Sequence, residues 1–458
     1  PLAGHYTIGG SSPDYATFDD AVADLLVKGV SDTVFMNFRN GNYQIHKVLH
    51  TFPGTAMDMP VIFQSESGNR NNVTLYYYAS GTDDNYILYL HGADYVHFKD
   101  LGFSGNTGSE SYSINFQLSG GVNGFKLMDC ALTGSNSGSS YATLLDGQNS
   151  LSMYKLIQGN SFNNGGYGIY MGGINNTTSQ NHGTMILDNE FNNQNSYILY
   201  LTYENSIEIN DNTISAPTSN GIYLNYCNDE LQVLRNRIYV QSYGLYFNNC
   251  SGGNDLENDP GLVANNFVTA TNNYGAYLNN NSYHNYFNNS LNMSSGNSGT
   301  VGFYLYNGSN NNVVNNSFVH SGWGMAAQIY SASAVDMLDY NNYFSNGNYL
   351  AAWGSNNYYD LASFTTASSK DEHSISVYPH FTSSTDLHTM TPWLDAKGTP
   401  LTEVTTDIDG EARNASTPDI GADEFTPDGA NTTPLAGHYT IGGSSPDYAT
   451  FDDAVADL

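Results

Sequence analysis

Few residues in this chain have the types and spacing of a reactive centre. Asp83 and Asp84 form an adjacent carboxylate pair, the kind of pair that activates a water and protonates a leaving oxygen in glycoside hydrolysis. Arg235 and Arg237 are the only cations between Lys155 and Lys370, and a basic residue beside a sugar carboxylate can take the proton that lyase chemistry removes. Asp229 and Glu230 lie close to them in sequence, so ordinary charge pairing competes with that role. Two acidic clusters offer the oxygen ligands that calcium takes: Asp255, Glu257 and Asp259, and Asp407 with Asp409 before Gly410. Neither has the full spacing of a calcium loop, and solvated acidic loops are the plainer reading. The 12 histidines are scattered, with no zinc spacing and no nucleophile elbow. The residues call for no cofactor and no catalytic set, with calcium as the one ion the acidic clusters would suit.

The regular part of the chain lies elsewhere, in a short pattern that recurs every 22 to 31 residues between Tyr167 and Phe344. Each unit opens on a small strand, as in Gly168-Ile169-Tyr170-Met171, Gly221-Ile222-Tyr223-Leu224, Gly244-Leu245-Tyr246-Phe247, Gly275-Ala276-Tyr277-Leu278 and Gly302-Phe303-Tyr304-Leu305; Leu199-Tyr200-Leu201 fits without the glycine. Each closes on asparagine, any residue, then a large apolar one: Asn160/Phe162, Asn189/Phe191, Asn212/Ile214, Asn236/Ile238, Asn265/Phe267, Asn289/Leu291, Asn316/Phe318 and Asn342/Phe344. A period of this length built from short alternating segments predicts an all-β parallel solenoid with one coil per unit. A disordered tract has no reason to keep an apolar register.

Strand alternation turns Ile222 and Leu224 into the coil and Tyr223 out of it. Stacking then makes one buried column of the apolar closing residues and a second column of the asparagines at a bend. There asparagine tolerates left-handed backbone angles, and its amide can bond to the asparagine of the next turn. Outside, Tyr89, Tyr170, Tyr200, Tyr223, Tyr246, Tyr277 and Tyr304 should form a stripe, with Tyr203 and Tyr226 as a shorter second row. Such a ladder can pack against another chain, stack on neutral sugars or stabilise its own sheet. Cys227 lies six residues after Gly221 and Cys250 six after Gly244, so they share a position in successive turns. A disulfide between them is conceivable, although two buried thiols are the commoner outcome; Cys130 reads as a lone core residue.

Composition narrows the partners. The 458 residues carry 12 Lys and Arg against 43 Asp and Glu, a formal charge of −31. Nucleic acid needs a basic face that this chain lacks, and anionic polysaccharide is disfavoured for the same reason. The 37 tyrosines are the main source of contact area. Copies so acidic repel one another in dilute buffer, but at high salt the screening length falls to about 3 Å and close packing becomes feasible. That suits a salty extracellular setting, and no apolar run is long enough to insert in a membrane.

Residues 434–458 repeat residues 1–25 without a change, at an offset of 433. This reads as a slice of a tandem array of near-identical modules. Within one module, residues 1–32 form an N-terminal cap whose short helix starts at a Thr17/Asp20 capping box and carries Phe18, Val22, Leu25 and Leu26 on one face. Residues 33–345 form the coil. Residues 346–433, with Pro379, Pro392, Pro400, Pro418 and Pro427, read as an irregular closing cap and linker, and 434–458 open the next module. About twelve to fourteen turns at about 4.8 Å each give a rod of about 60 Å.

The opening Tyr6-Thr7-Ile8-Gly9-Gly10 with Pro13-Asp14-Tyr15, the helix from Phe18 to Leu25, the Asn-x-Phe turns and the closing Asp407-Ile408-Asp409-Gly410…Arg413…Asp419-Ile420-Gly421-Ala422-Asp423-Glu424-Phe425 resemble the secreted right-handed parallel β-helix repeat proteins of Bacteroidota. These share the pectate-lyase superfamily fold. The end motifs carry the resemblance to the family, and the middle identifies only the fold. The resemblance implies a right-handed parallel β-helix, export by the type IX route and attachment at the cell surface, in a group that includes giant adhesins and the grappling-hook fibres of predatory gliding bacteria. The same fold hosts pectinases. Polygalacturonase-like enzymes carry Asn-Thr-Asp, Asp-Asp, Gly-His-Gly and Arg-Ile-Lys on neighbouring turns, and only Asp83-Asp84 has a counterpart here. Fold alone does not supply function.

The expectation is therefore a non-enzymatic structural module of a giant tandem-repeat extracellular protein, assembling into an adhesive or grasping surface fibre. Its partners would be neighbouring modules in the same chain, identical chains in a bundle, and cell-surface glycans. The rival readings are a single-chain carbohydrate-binding adhesin stalk and a polysaccharide lyase or hydrolase.

Overall fold

Strands of three to six residues broken by polar corners have no backbone partner inside their own unit, so each must bond to its equivalent in the next turn. The computed structural model, which describes all residues except 148–149, 176–179, 254–258, 428–436, 444–445, 452–453 and 455–458, shows that solution as three sheets of 13, 13 and 12 strands. Sheet I runs from Leu2–Ile8 to Val335–Asp339, sheet II from Gly41–Gln44 to Asn342–Ser345, and sheet III from Lys47–Leu49 to Asn356–Tyr358. One turn visits them in the order III, I, II, as in Tyr197–Thr202, Glu208–Asn210 and Thr213–Ala216. Pairing between turns is parallel and closes only on the antiparallel pair Ala351–Trp353 and Asn356–Tyr358. The all-β parallel solenoid expected from the periodicity is the fold observed.

Inward residues stack in columns. On sheet III, Ile222 pairs with Leu245 and Leu224 with Phe247, and all four are buried. On sheet II the column runs Phe162, Phe191, Ile214, Ile238, Val268, Leu291, Phe318, Tyr343. Its fifth and eighth members are Val268 and Tyr343, where the sequence pattern put Phe267 and Phe344. Phe267 instead faces outward beneath a C-terminal segment with Leu387, Ile408 and Ala422, and Phe344 meets Tyr378 outside the coil.

The same one-residue correction applies to the polar ladder at the corner between sheets I and II. It runs Asn160, Asn189, Asn212, Asn236, Asn266, Asn289, Asn316, Asn341, each but the last donating its backbone N–H and its Nδ2 to the Oδ1 of the next at 2.9–3.1 Å. Asn265 and Asn342 are therefore neighbours of ladder members. The reason is the bend itself: the left-handed residue is the one before each ladder asparagine, with φ of +54° at Asp188, +53° at Arg235, +55° at Asn265 and +57° at Tyr340. At Asn265-Asn266, Asn288-Asn289 and Asn315-Asn316 the first asparagine takes the left-handed angle on the outside and the second enters the ladder, whereas at Asn341-Asn342 Tyr340 takes that angle and the first asparagine enters. Cys130 occupies the same corner one turn before Asn160 and donates its N–H to Asn160 Oδ1 at 2.9 Å.

Both ends of the coil are closed by a helix. Helix α1 (Phe18–Lys28) has the Thr17/Asp20 capping box and buries Phe18, Ala21, Val22 and Leu25, while Leu26 stays outside. Helix α2 (Leu361–Ser368) was not expected from the sequence. Asp360 caps it by accepting from Ser363 N–H at 2.8 Å, and its buried Phe364 packs on Tyr343, Trp353 and Tyr358 at the last turn. The later residues then fold back along the corner of the ladder, where outer asparagines receive them. Asn265 Nδ2 donates to Thr406 O at 2.7 Å, and Asn315 Nδ2 donates to Thr399 O at 2.8 Å. In the second copy of the opening segment, Thr440 binds Asp447 Oδ2 with its N–H and hydroxyl, as Thr7 binds Asp14.

Asn236 is fully buried and sits mid-ladder. Asn236→Ala strands the donors of Asn212 and the carbonyl of Ile209, and each buried polar group left without a partner costs about 1–3 kcal/mol. We expect a loss of about 2–4 kcal/mol in urea unfolding. Asn225→Ala, which removes a half-buried partner of Asn248, should cost under about 1 kcal/mol.

Candidate functional site

The outward feature of sheet III is aromatic. Tyr170, Tyr200, Tyr223, Tyr246, Tyr277 and Tyr304 occupy one register position in six successive turns, with ring centroids 4.7, 4.4, 5.0, 5.0 and 5.2 Å apart along the file. Tyr89 holds the same position but is detached from the file, because Gln117 and Asp146 fill the two intervening turns. Tyr89 instead bonds Ser119 through its hydroxyl at 2.6 Å. Tyr203 and Tyr226 stack face to face at 5.2 Å beside the main file.

A second tyrosine file runs alongside, and strict alternation misses it. Tyr167, Tyr197, Tyr243 and Tyr274 lie three residues before the first file and are half-buried on the same face, with Asn220 between Tyr197 and Tyr243. Alternation would turn Tyr243 inward, but Gly244 and Leu245 both face the coil, so the strand kinks and Tyr243 emerges beside Tyr246. The same kink occurs at Tyr197 with Ile198 in place of glycine, but at the glycine turns the backbones approach too closely for a side chain: a Cβ on Gly244 would lie 2.6 Å from the Gly275 carbonyl, and one on Gly221 would lie 2.2 Å from the Gly244 carbonyl. The repeated spelling Tyr-Gly-x-Tyr at Tyr167, Tyr243 and Tyr274 was the available signal. Burial among neighbouring rings raises the Tyr197 hydroxyl to about 12 and raises Tyr223 and Tyr304 further, so these three rings are neutral at any physiological pH.

The residues singled out for chemistry lie apart from this face and have other work. Arg235 makes a bidentate pair with Asp211, both contacts at 2.7 Å. Arg237 pairs with Asp409 at 2.5 Å and lies 6.0 Å over the Phe267 ring. Neither pairs with Asp229 or Glu230. Asp83 and Asp84 are exposed in a turn, with Asp84 in a left-handed conformation. The three cysteines are free and buried; Cys227 and Cys250 stand at equivalent positions of successive turns, and burial pushes the Cys130 thiol up to about 12.

The paired calcium candidates separate. Asp407 is buried and spends its carboxylate on the N–H groups of Asp409, Glu411 and Glu424. Asp409 points elsewhere, to Arg237 and to His388 Nε2 at 2.7 Å. Asp423 joins them, so His388, Asp409 and Asp423 are the described residues whose ligand atoms lie within 4.8 Å of one another. A His and two carboxylates suit a transition ion better than calcium, with Asp386 fixing the other ring nitrogen of His388. Asp255 and Glu257 lie outside the described residues, and Asp259 is exposed.

No protein-family model matches the chain, and no curated protein sequence matches it. Among solved structures, it is similar to the Dettilon tailspike protein at 14% identity and a TM-score of 0.48, over 73% of this chain and 64% of that one. It is also similar to pectate lyase Pel9A at 13% identity and 0.43, over 93% and 96%, and to the periplasmic alginate epimerase AlgG at 11% and 0.44, over 82% of each. The chain spans about 64% of the length of the tailspike. These likenesses concern the parallel β-helix fold. Among the described residues, no helix is long and apolar enough to cross a membrane.

The C-terminal segment titrates against the coil. Burial raises Asp371 and Asp419 to about 7 and Asp423 to about 6, from an ordinary 3.8. Each therefore contributes stability that is full below 3.8 and is lost as the pH rises through 6 to 7. His97, His284 and His320 run the other way: burial lowers each to about 4, so their contribution is present above 6.5 and lost as the pH falls toward 4. After correction for intrinsic exchange, the amides of Gly421 and Phe425 should be protected about tenfold more at pH 5 than at pH 8. The His284 amide should show the opposite trend.

Proposed function

We propose that this chain is a structural module of a tandem-repeat protein of the cell exterior, and that its tyrosine face packs against identical chains so that arrays bundle into an adhesive or grasping fibre. The observation that carries the reading is the double file on sheet III, a neutral aromatic surface on a molecule whose formal charge is −31. Tyrosine supplies large contact area at low entropic cost, and its hydroxyl accepts a wet or a dry partner. Charge repulsion keeps single chains apart at low salt and is screened at high salt. The second copy of the opening segment, with the same Thr–Asp lock, supports head-to-tail repetition.

Stacking of neutral sugars on the same rings is the second reading, favoured by their half-exposed faces. Sedimentation separates the two. The chain should associate as salt is raised, and replacing Tyr200, Tyr223, Tyr246 and Tyr277 with Ser should weaken association by more than about 100-fold, at about 0.5–1.5 kcal/mol for each aromatic pair. A chain that stays monomeric in high salt, or a variant that associates equally well, would contradict lateral packing; a monomer that binds neutral glycans would favour the sugar reading.

A further inference from the structure

The corner between sheets III and I carries its own inner column, occupied in successive turns by Ser152, Asn181, Glu204, Cys227, Cys250 and Asn281. Beside it, Lys155 turns its side chain into the coil. Lys155 and Glu204 are 1% and 0% exposed, and among the described residues no other ion pair has both partners so enclosed. Lys155 Nζ stands 3.6 Å from Glu204 Oε1, and Asn181 Nδ2 donates to that same oxygen at 2.7 Å. Thr184 Oγ1 fixes the other carboxylate oxygen at 2.7 Å. The backbone of Ser152 holds both reacting partners: its N–H donates to Asn181 Oδ1 at 2.6 Å, and its carbonyl accepts from Lys155 Nζ at 3.4 Å.

A buried ion pair is an expensive way to hold a core, since apolar residues of similar volume usually serve as well or better. This arrangement has the parts of an acyl transfer. It provides an amine, an amide carbonyl polarised by a backbone N–H, and a carboxylate that touches both the amine and the amide nitrogen, all shut away from water. We propose that Lys155 and Asn181 join in an isopeptide bond between consecutive turns, with Glu204 as the proton carrier.

Lys155 Nζ attacks Asn181 Cγ, and the charge that develops on Oδ1 is held by the Ser152 N–H. Glu204 takes a proton from the attacking nitrogen and delivers it to Nδ2; the Nζ–Cγ bond forms, the Cγ–Nδ2 bond breaks, and ammonia leaves. The step needs no oxidant, metal or second substrate. Burial holds the Lys155 ammonium below the usual lysine range, against the opposing pull of Glu204, which favours the free amine that the attack requires. The product would close one turn covalently and restrict the unfolded chain as a disulfide does. It would do so without a redox partner and whether or not the tyrosine face assembles.

Mass spectrometry of the full chain, unfolded and reduced, tests this directly. The intact mass should fall below the sequence mass by one ammonia, and a digest should yield a branched peptide joining Lys155 to Asn181. Glu204→Gln, which keeps the shape of the side chain but cannot carry the proton, should restore the full sequence mass. An unmodified mass for the natural chain, with Lys155 and Asn181 in separate peptides, overturns the proposal. So does loss of water with Lys155 joined to Glu204, or an ammonia loss that maps to any other asparagine.

Discussion

A parallel coil survives only if every turn lands on its predecessor in the same register, because no strand can satisfy its N–H and C=O groups within its own turn. A slip of one residue would turn an apolar column outward and strand the polar corner inside. The asparagine chain from Asn160 to Asn341 holds that register at one corner, since each amide satisfies the turn before it and is satisfied by the turn after it. Glycine holds it on sheet III by letting consecutive backbones approach where a Cβ would collide. The two devices act on different sheets, so a slip would have to break both.

Registry is also what makes the outside uniform. Once like sits over like, a tyrosine in one turn becomes a file through six, and the kink at the start of each strand adds a second file beside it. The same rule gives the ladder corner an outer row of asparagines, and the C-terminal segment docks on that row: Arg413 donates to Asn265 Oδ1 at 2.8 Å, and Gly421 N–H donates to Asn315 O at 2.8 Å. Of the closing-motif residues that looked free to bind a cation, Asp409 holds the segment against the coil through Arg237, and Asp407 folds the segment on itself through the N–H groups of Asp409, Glu411 and Glu424. The corner between sheets III and I breaks the uniformity, since its column changes from serine to asparagine, glutamate and cysteine along the axis. That heterogeneity is where reactive groups can meet.

The solenoid, its strand positions and its N-terminal helix were legible because they follow from period, alternation and a capping box. Register at the Asn-Asn corners was not. At Asn265-Asn266-Phe267-Val268 the rule of asparagine, any residue, then an apolar one fits in two frames, and only the left-handed angle of the first asparagine selects the second. The file of Tyr243 and Tyr274 was hidden because alternation is a rule for regular strands, and these strands bury two consecutive residues before the first file. Helix α2 lacks an amphipathic stripe long enough to read, and its place depends on the apolar end of the last turn. The buried set of Lys155, Asn181 and Glu204 spans three turns of unequal length, so no spacing in the sequence announces it.

X-ray diffraction from crystals of the chain tests the registry most directly. The account predicts Asn212, Asn236 and Asn266 in one buried column, each Oδ1 taking the N–H of the turn before it, with Val268 inside the coil and Phe267 outside. Electron density that places Asn265 and Phe267 inside, or that scatters these asparagines around the coil, would contradict it.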